Sequence, residues 1–211
     1  VKESIPTVKV IGVQAAGAAS MVNAVNSGRI EKLPIVSTIA DGIAIQQPGE
    51  LTYALVRKYV DELVTVSDEE IASAILFALE QSKLVVEGAG AVTLAALLHN
   101  HLDLPQGNSV LILSGGNIDI NQLARIIERG LVKSHRRMRL RTVIPDLPGA
   151  LTELIQIIAQ SQANIVEIYH NRLALDVLLN DTEVVLNVEI RDQAHASQVL
   201  AALKRAGYQP V

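Results

Sequence analysis

The chain has 211 residues, 49% of them hydrophobic, which is enough for a buried core and more than one small module needs, so two units are expected. Its 18 basic and 22 acidic residues, 2% aromatics and absence of Trp supply neither a phosphate-binding surplus nor stacking platforms, which argues against nucleic acid as a partner. The lack of cysteine excludes disulfides, thiolate nucleophiles and sulfur metal ligands and fits a cytoplasmic protein, and no run of about 18 apolar residues offers a membrane span.

The start, Val1-Lys2-Glu3-Ser4-Ile5-Pro6, has no apolar signal region, and the first Met is Met21, so the sequence reads as part of a longer chain. Val8 to Val13 is a β-branched run and predicts a strand. Ala18 to Asn26 is Ala-rich and closes on Ser27-Gly28, a helix with its stop signal. Asp41-Gly42-Ile43-Ala44 reads as a turn. Pro48-Gly49-Glu50 opens a second helix, Leu51 to Val60, with Leu51, Ala54, Leu55 and Tyr59 at helical spacing. Leu63 to Val66 is strand-like, and Ser67 with Glu70 three residues on is a capping box that starts a helix running through Ile71, Ile75, Leu79 and Leu84. Glu87-Gly88-Ala89-Gly90 interrupts it before a further helix, Ala91 to His99. Asp103 to Asn108 is a loop, Val110 to Leu113 reads as a strand, and Ile120 to Leu131 is helical. Strands alternating with helices predict an α/β sheet that is mostly parallel.

At Lys133-Ser134-His135-Arg136-Arg137 the texture changes, and the boundary is placed between residues 134 and 135. An alternating run from Met138 to Ile144 follows, then a helix from Ala150 to Gln160, strands near Ile165–Leu173 and Glu183–Ile190, and a helix from Asp192 to Arg205. Tyr208 to Val211 could begin a fourth strand. This βαββα order is the ferredoxin-like, split βαβ arrangement. The basic run Lys133, His135, Arg136, Arg137, Arg139 and Arg141 reads as a solvated linker or as a contact between subunits or domains.

The most informative stretch is Ser114-Gly115-Gly116-Asn117, behind the apolar run Val110–Leu113. A hydroxyl, an amide and bare backbone at the carboxyl end of a strand lie where open α/β sheets bind ligands, although Ser114 could equally cap the next helix. Glu87 could be an ordinary cap of the helix at Ala91. Pro145-Asp146-Leu147-Pro148-Gly149-Ala150-Leu151 could be a plain turn and helix start. The histidines show no ligand spacing beyond His99 and His101, which look like the polar end of a helix.

In order and spacing, Glu31 to Ala44, Val86 to Ala91, Ser114 to Ile120, Arg125 to Val132 and Asp146 to Leu151 together resemble the carboxyl-terminal part of a pyridoxal-phosphate-dependent threonine dehydratase (threonine ammonia-lyase) with a small regulatory domain. The resemblance implies a partial tryptophan-synthase-β-like (fold type II) sheet domain over 1–134 and an ACT-like, ferredoxin-like domain over 135–211. It places Ser114 on the pyridine nitrogen of pyridoxal 5'-phosphate, with Gly115 and Gly42 giving close backbone approach and Glu87 near the cofactor. A neutral hydroxyl at that nitrogen leaves the ring a weaker electron sink, which suits β-elimination. Asn117 would contact cofactor, loop or a nucleotide effector, and Gly149 and Asn164 would receive the backbone groups of an amino-acid effector. Relatives that bind a divalent cation carry acids where this chain has Gln14 and Ser20, so no metal site is expected. The Schiff-base lysine, in a Ser-x-Lys setting, and a four-glycine phosphate loop do not occur here, so no catalytic residue is assigned and the chain alone is expected to be inactive. The implied reaction is L-threonine to 2-oxobutanoate and ammonia, in isoleucine synthesis or threonine breakdown, by a homo-oligomer. L-Serine is the other substrate expected, serine or hydroxyaspartate dehydratases and racemases share the scaffold, and a non-enzymatic amino-acid sensor is the reading of another class.

Overall fold

The computed structural model describes residues 1–104 and 106–210. They form two compact units, Val1–Ile127 and Glu128–Val211, and the division falls inside a helix, ahead of the 134/135 boundary read from the sequence.

In the first unit, strands β1 (Ile11–Ala15) and β2 (Glu62–Val66) pair in parallel, Ile11 opposite Glu62 and Ala15 opposite Val66. The crossover between them carries helices α1 (Ser20–Ser27) and α2 (Glu50–Tyr59), and α1 stops where Gly28 turns left-handed. Helix α3 (Asp68–Phe77) starts at the expected capping box. The Ser67 hydroxyl accepts from the Glu70 amide and the Glu70 carboxylate accepts from the Ser67 amide, so two otherwise unpaired N–H groups are satisfied. After Phe77 the chain continues as a π-helical turn, Ala78–Ser82, and helix α4 (Gly88–Leu98) follows. Small side chains (Ala15, Ala18, Ala74, Ala91, Ala95, Ala96) let α3 and α4 pack closely on the strands around Val66, Ile71 and Ile75. Helix α5 (Ile120–Lys133) ends the unit and crosses the division.

Three sequence expectations fail here. The first strand is Ile11–Ala15 rather than Val8–Val13, because the Val10 amide and carbonyl are taken by the Asp61 side chain and main chain just outside the sheet. Leu84 lies beyond the helix expected to include it, and α4 begins at Gly88, inside the supposed interruption. The helix expected over Leu51–Val60 does form, as α2, although it has no buried residue and Leu51 and Leu55 of its apolar stripe are exposed. Val110–Leu113 is not a strand. It has no ladder partner among the described residues, Val110 and Ile112 are 88% and 72% exposed, and the Ile112 carbonyl accepts from the Thr93 hydroxyl of α4 instead. The parallel sheet is thus two-stranded within the described residues. β propensity marks a segment fit for pairing, and a strand forms only where a partner is present.

The second unit contains β3 (Arg137–Pro145), α6 (Ala150–Gln160), β4 (Asn164–Asn171), β5 (Asp181–Glu189) and α7 (Gln193–Arg205). The sheet order is β3-β5-β4, all antiparallel neighbours, which is the split βαβ arrangement. Both helices cover one face. Val184, Leu186 and Val188 of the central strand pack there with Leu140, Ile144, Leu154, Ile158, Val199 and Leu203. Asp192 caps α7 by accepting from the His195 amide, and the buried His195 ring accepts from the Arg191 amide and lies 2.7 Å from the Ser161 carbonyl. Tyr208 to Pro210 form no strand, and Val211, like Pro105 of the Asp103–Asn108 loop, lies outside the described residues. The basic run is not a free linker. Lys133 ends α5 and Arg137, Arg139 and Arg141 sit on β3, where Arg137 pairs with Glu128 and Glu189 and Arg141 with Glu183 and Asp176.

Candidate functional site

The amino-terminal turn of α4 is the floor of the site, and the segment Ser114–Asn117 lies directly on it. A Cβ added to Gly90 would stand 2.7 Å from the Ser114 carbonyl carbon and closer still to its oxygen, so only bare backbone permits this approach. The contact is pinned on both sides. The Glu87 amide donates to the Gly115 carbonyl at 3.2 Å, and the Asn117 amide donates to the Glu87 carboxylate at 3.2 Å. Glu87 occupies the cap position of α4 without capping it. Its carboxylate turns to the Asn117 amide and still benefits from the partial positive charge of the helix start.

Gly115 has φ +75°, and a Cβ on it would meet the Glu87 carboxyl carbon at 2.5 Å, so both conformation and space require glycine. Gly42, in the turn Asp41–Ile43, borders the same carboxylate. A Cβ there would lie 3.0 Å from the Ala89 methyl and 3.7 Å from Glu87 Oε1. The structure therefore brings Ser114, Gly115, Gly42, Glu87 and Asn117 together around one helix start. Ser114 is not spent on capping α5, because Asp119 does that, accepting from the Gln122 amide at 3.0 Å. The exposed Ser114 hydroxyl has no hydrogen-bond partner among the described residues.

The effector candidates are not gathered in the same way. Gly149, at φ +96°, precedes α6 and leaves its first turn without a side-chain cap, while Asn164 begins β4 and donates to Glu189. The eleven residues of α6 lie between them, about 16 Å of helix, so the two do not form one small pocket within a chain. At the end of β1, Gln14 Oε1 accepts from the Val22 amide at 2.9 Å and Nε2 reaches the Ala18 carbonyl at 3.4 Å. The amide ties the strand to α1, and no group of three or more His, Cys, Asp or Glu able to hold a metal occurs among the described residues. His101 bonds Glu70 at 2.7 Å. Burial raises the Glu70 pKa, but hydrogen bonds from Ser67 and His101 outweigh it and hold the carboxyl down at about 2. A surface cavity of about 380 Å³ lies along α2, lined by Tyr53, Ala54, Arg57 and Lys58, and includes none of the site residues.

The sequence reading missed the contact at Gly90. Its signal is the pair Gly88 and Gly90 in the first turn of a helix, where alanine would be the better helix former.

A loop of serine, glycines and asparagine is thus held against the start of α4 by Glu87 and Gly90. The family model for pyridoxal-phosphate dependent enzymes matches residues 1–115, and the chain belongs to that family. Among relatives, it is 47% identical over 209 residues to the L-threonine ammonia-lyase of Thermotoga maritima, an alignment that covers 99% of this chain and 52% of that protein. Among solved structures, a threonine deaminase from the organism abbreviated T.th. matches with a TM-score of 0.54 at 39% identity, over 57% of this chain and 44% of the other. Maize serine racemase matches with a TM-score of 0.53 at 32% identity, over 64% of this chain and 42% of the other. The chain spans about half the length of the curated relatives it matches.

Proposed function

We propose that this chain is the carboxyl-terminal part of an L-threonine ammonia-lyase and that Ser114 faces the pyridine nitrogen of pyridoxal phosphate. The observation that carries the reading is the Ser114 hydroxyl, left uncommitted on a loop that Glu87 and Gly90 fix from below. Gly42 and Gly115 both border the Glu87 carboxylate, so the backbone beside it carries no Cβ at either position. When bound, the cofactor supplies an electron sink that allows the α-proton and then the β-hydroxyl to leave, with 2-oxobutanoate and ammonia as final products.

This chain's residues hold and tune that sink. Ser114 offers a hydrogen bond without a formal charge, so the ring nitrogen is not driven to the protonated state. Glu87 anchors the loop through the Asn117 amide and does not need to touch the ring. The chain contains no lysine in a Ser-x-Lys setting and no four-glycine loop, so we assign the Schiff-base lysine and the phosphate contacts to the remainder of the parent protein. We favour L-threonine over L-serine as substrate because two relatives that align over 99% of this chain are named for it. The uncharged Gln14 and Ser20 weigh against the cation-binding racemases and hydroxyaspartate lyases that share the scaffold.

In the second unit we propose an ACT-like regulatory domain over 135–211, on the strength of its split βαβ order. An amino-acid effector would place its carboxylate at the uncapped start of α6 beside Gly149. Asn117 is assigned to the loop itself, with a nucleotide effector as its alternative ligand. No helix of the described residues is long and apolar enough to cross a membrane, and we place the protein in the cytoplasm on its cysteine-free composition. The test is Ser114→Ala and Ser114→Asp in the parent protein. Both should lower kcat for 2-oxobutanoate formation by at least about tenfold while threonine KM changes less, since the loss lies in tuning of the sink. Unchanged kcat in both variants overturns the assignment.

A further inference from the structure

The turn that carries Gly42 to the Glu87 carboxylate hangs on residues 31–40, which belong to no helix or strand. Its position is therefore set by a few contacts at residues 37–40. Two of them are seats on glycines. The Ser37 amide donates to the Gly17 carbonyl at 3.1 Å, where a Cβ on Gly17 would collide with the Ser37 carbonyl, and a Cβ on Gly88 would stand 2.9 Å from Ala40 Cα. The third is a relay of hydrogen bonds. The Thr38 hydroxyl donates to Asp68 Oδ1 at 2.5 Å and accepts from the Ala40 amide at 3.1 Å, and the Ala40 carbonyl accepts from the Ile43 amide at 3.1 Å, closing the turn around Gly42. Gln122 of α5 adds a longer contact, 3.4 Å from Nε2 to the Ile39 carbonyl.

We propose, resting on the cofactor reading above, that Asp68 is a positioning residue for the pyridoxal-phosphate site: acting through Thr38, it fixes the turn Asp41–Ile43 and with it the place of the Gly42 backbone beside Glu87. Asp68 stands in the first turn of α3, but Ser67 and Glu70 already cap that helix, so its carboxylate is not needed there. A carboxylate only accepts, so the Thr38 hydroxyl gives its one proton to Asp68 and turns a lone pair to the Ala40 amide. Ala40 is fully buried, and without that acceptor its amide would be unpaired away from water. Gly88 offers the segment room but no grip, since it has no side chain. The relay supplies the directional bond, and it ties the Gly42 turn to α3 while α4 supports it from below.

Hydrogen exchange reads the tie in this 211-residue chain without any cofactor. Thr38→Val keeps the shape and removes the hydroxyl, and should speed exchange at the Ala40 amide by about tenfold. Asp68→Ala leaves the hydroxyl free to rotate and should speed it by about threefold, while Thr38→Ser keeps the relay and stays within about twofold of the unsubstituted chain. In the parent protein, the dissociation constant of pyridoxal phosphate, followed by its absorbance, should rise by about tenfold in Thr38→Val and by no more in the double variant with Asp68→Ala, because the two side chains act as one unit. Ile75→Val trims the buried core of α3 away from the relay and lowers stability, yet should leave both readings within about twofold. Unchanged exchange at Ala40 in Thr38→Val, unchanged cofactor affinity, or losses that multiply in the double variant overturn the proposal. Unchanged exchange leaves the cofactor reading intact, whereas a parent protein that binds no pyridoxal phosphate overturns that reading and the positioning role together.

Discussion

Replacing Gly90 with alanine should reverse the usual sign of a glycine-to-alanine change inside a helix. Ordinarily such a change stabilises by about 0.5–1 kcal/mol, through lower backbone entropy in the unfolded chain. Here the new methyl would stand 2.7 Å from the Ser114 carbonyl carbon and 2.9 Å from the Val86 side chain. Neither α4 nor the loop can yield without cost. The loop must retreat by about 1 Å or more, and the hydrogen bonds that Glu87 makes through its amide to Gly115 and through its carboxylate to Asn117 stretch together. At about 0.5–1.5 kcal/mol each, their loss outweighs the helix gain and leaves a net destabilisation of about 1–2 kcal/mol. Urea unfolding of this chain reads the stability, and cofactor titration of the parent protein reads the displaced Ser114. Gly49→Ala is the control, because its Cβ meets nothing nearer than the Thr52 hydroxyl at 3.4 Å and should change stability by no more than about 0.5 kcal/mol. If Gly90→Ala stabilises the chain and leaves cofactor affinity unchanged, the loop does not rest on α4 as argued.

The Glu70 carboxyl, held at about 2 against an ordinary 4.5, contributes stability that is complete above about pH 4.5 and is lost as pH falls toward 2. Glu70→Gln keeps an acceptor for the Ser67 amide but no charge for His101, so it should cost about 1–2 kcal/mol at neutral pH and flatten that acid limb. Parallel acid titrations of variant and parent stability would contradict this. In the second unit, Leu154→Ala should cost about 2–5 kcal/mol by opening a cavity between α6 and the sheet, measured by urea unfolding; a loss below about 1 kcal/mol would show that α6 is not packed there as described.

What the sequence made legible depends on how local the responsible forces are. The second unit reads almost without error because each element carries its own signal. β3 alternates buried Leu140, Thr142 and Ile144 with exposed neighbours, α6 starts after a turn of proline and glycine, and Asp192 supplies its own cap. Ser67 and Glu70 start α3 for the same reason. The first unit reads less well wherever a segment needs a distant partner. Val110–Leu113 has the composition of a buried strand and α2 has the stripe of a packed helix, yet both stay exposed among the described residues. A pattern of apolar residues states what a segment can bury, not what will cover it.

The same distinction explains the site. The serine–glycine motif reads as a candidate binding loop because hydroxyl, amide and bare backbone are local properties. What fixes the loop is not local, since Glu87 and Gly90 stand more than twenty residues upstream and act through one carboxylate and one missing methyl. Gly115 makes the dependence explicit. Its left-handed φ already favours glycine, but the volume that a side chain there would need is filled by the Glu87 carboxyl, which in turn holds Asn117. The two positions are therefore one device, in which the acid can stand only over a glycine. That mutual constraint, rather than the motif alone, is what holds the loop carrying the exposed Ser114 against the start of α4.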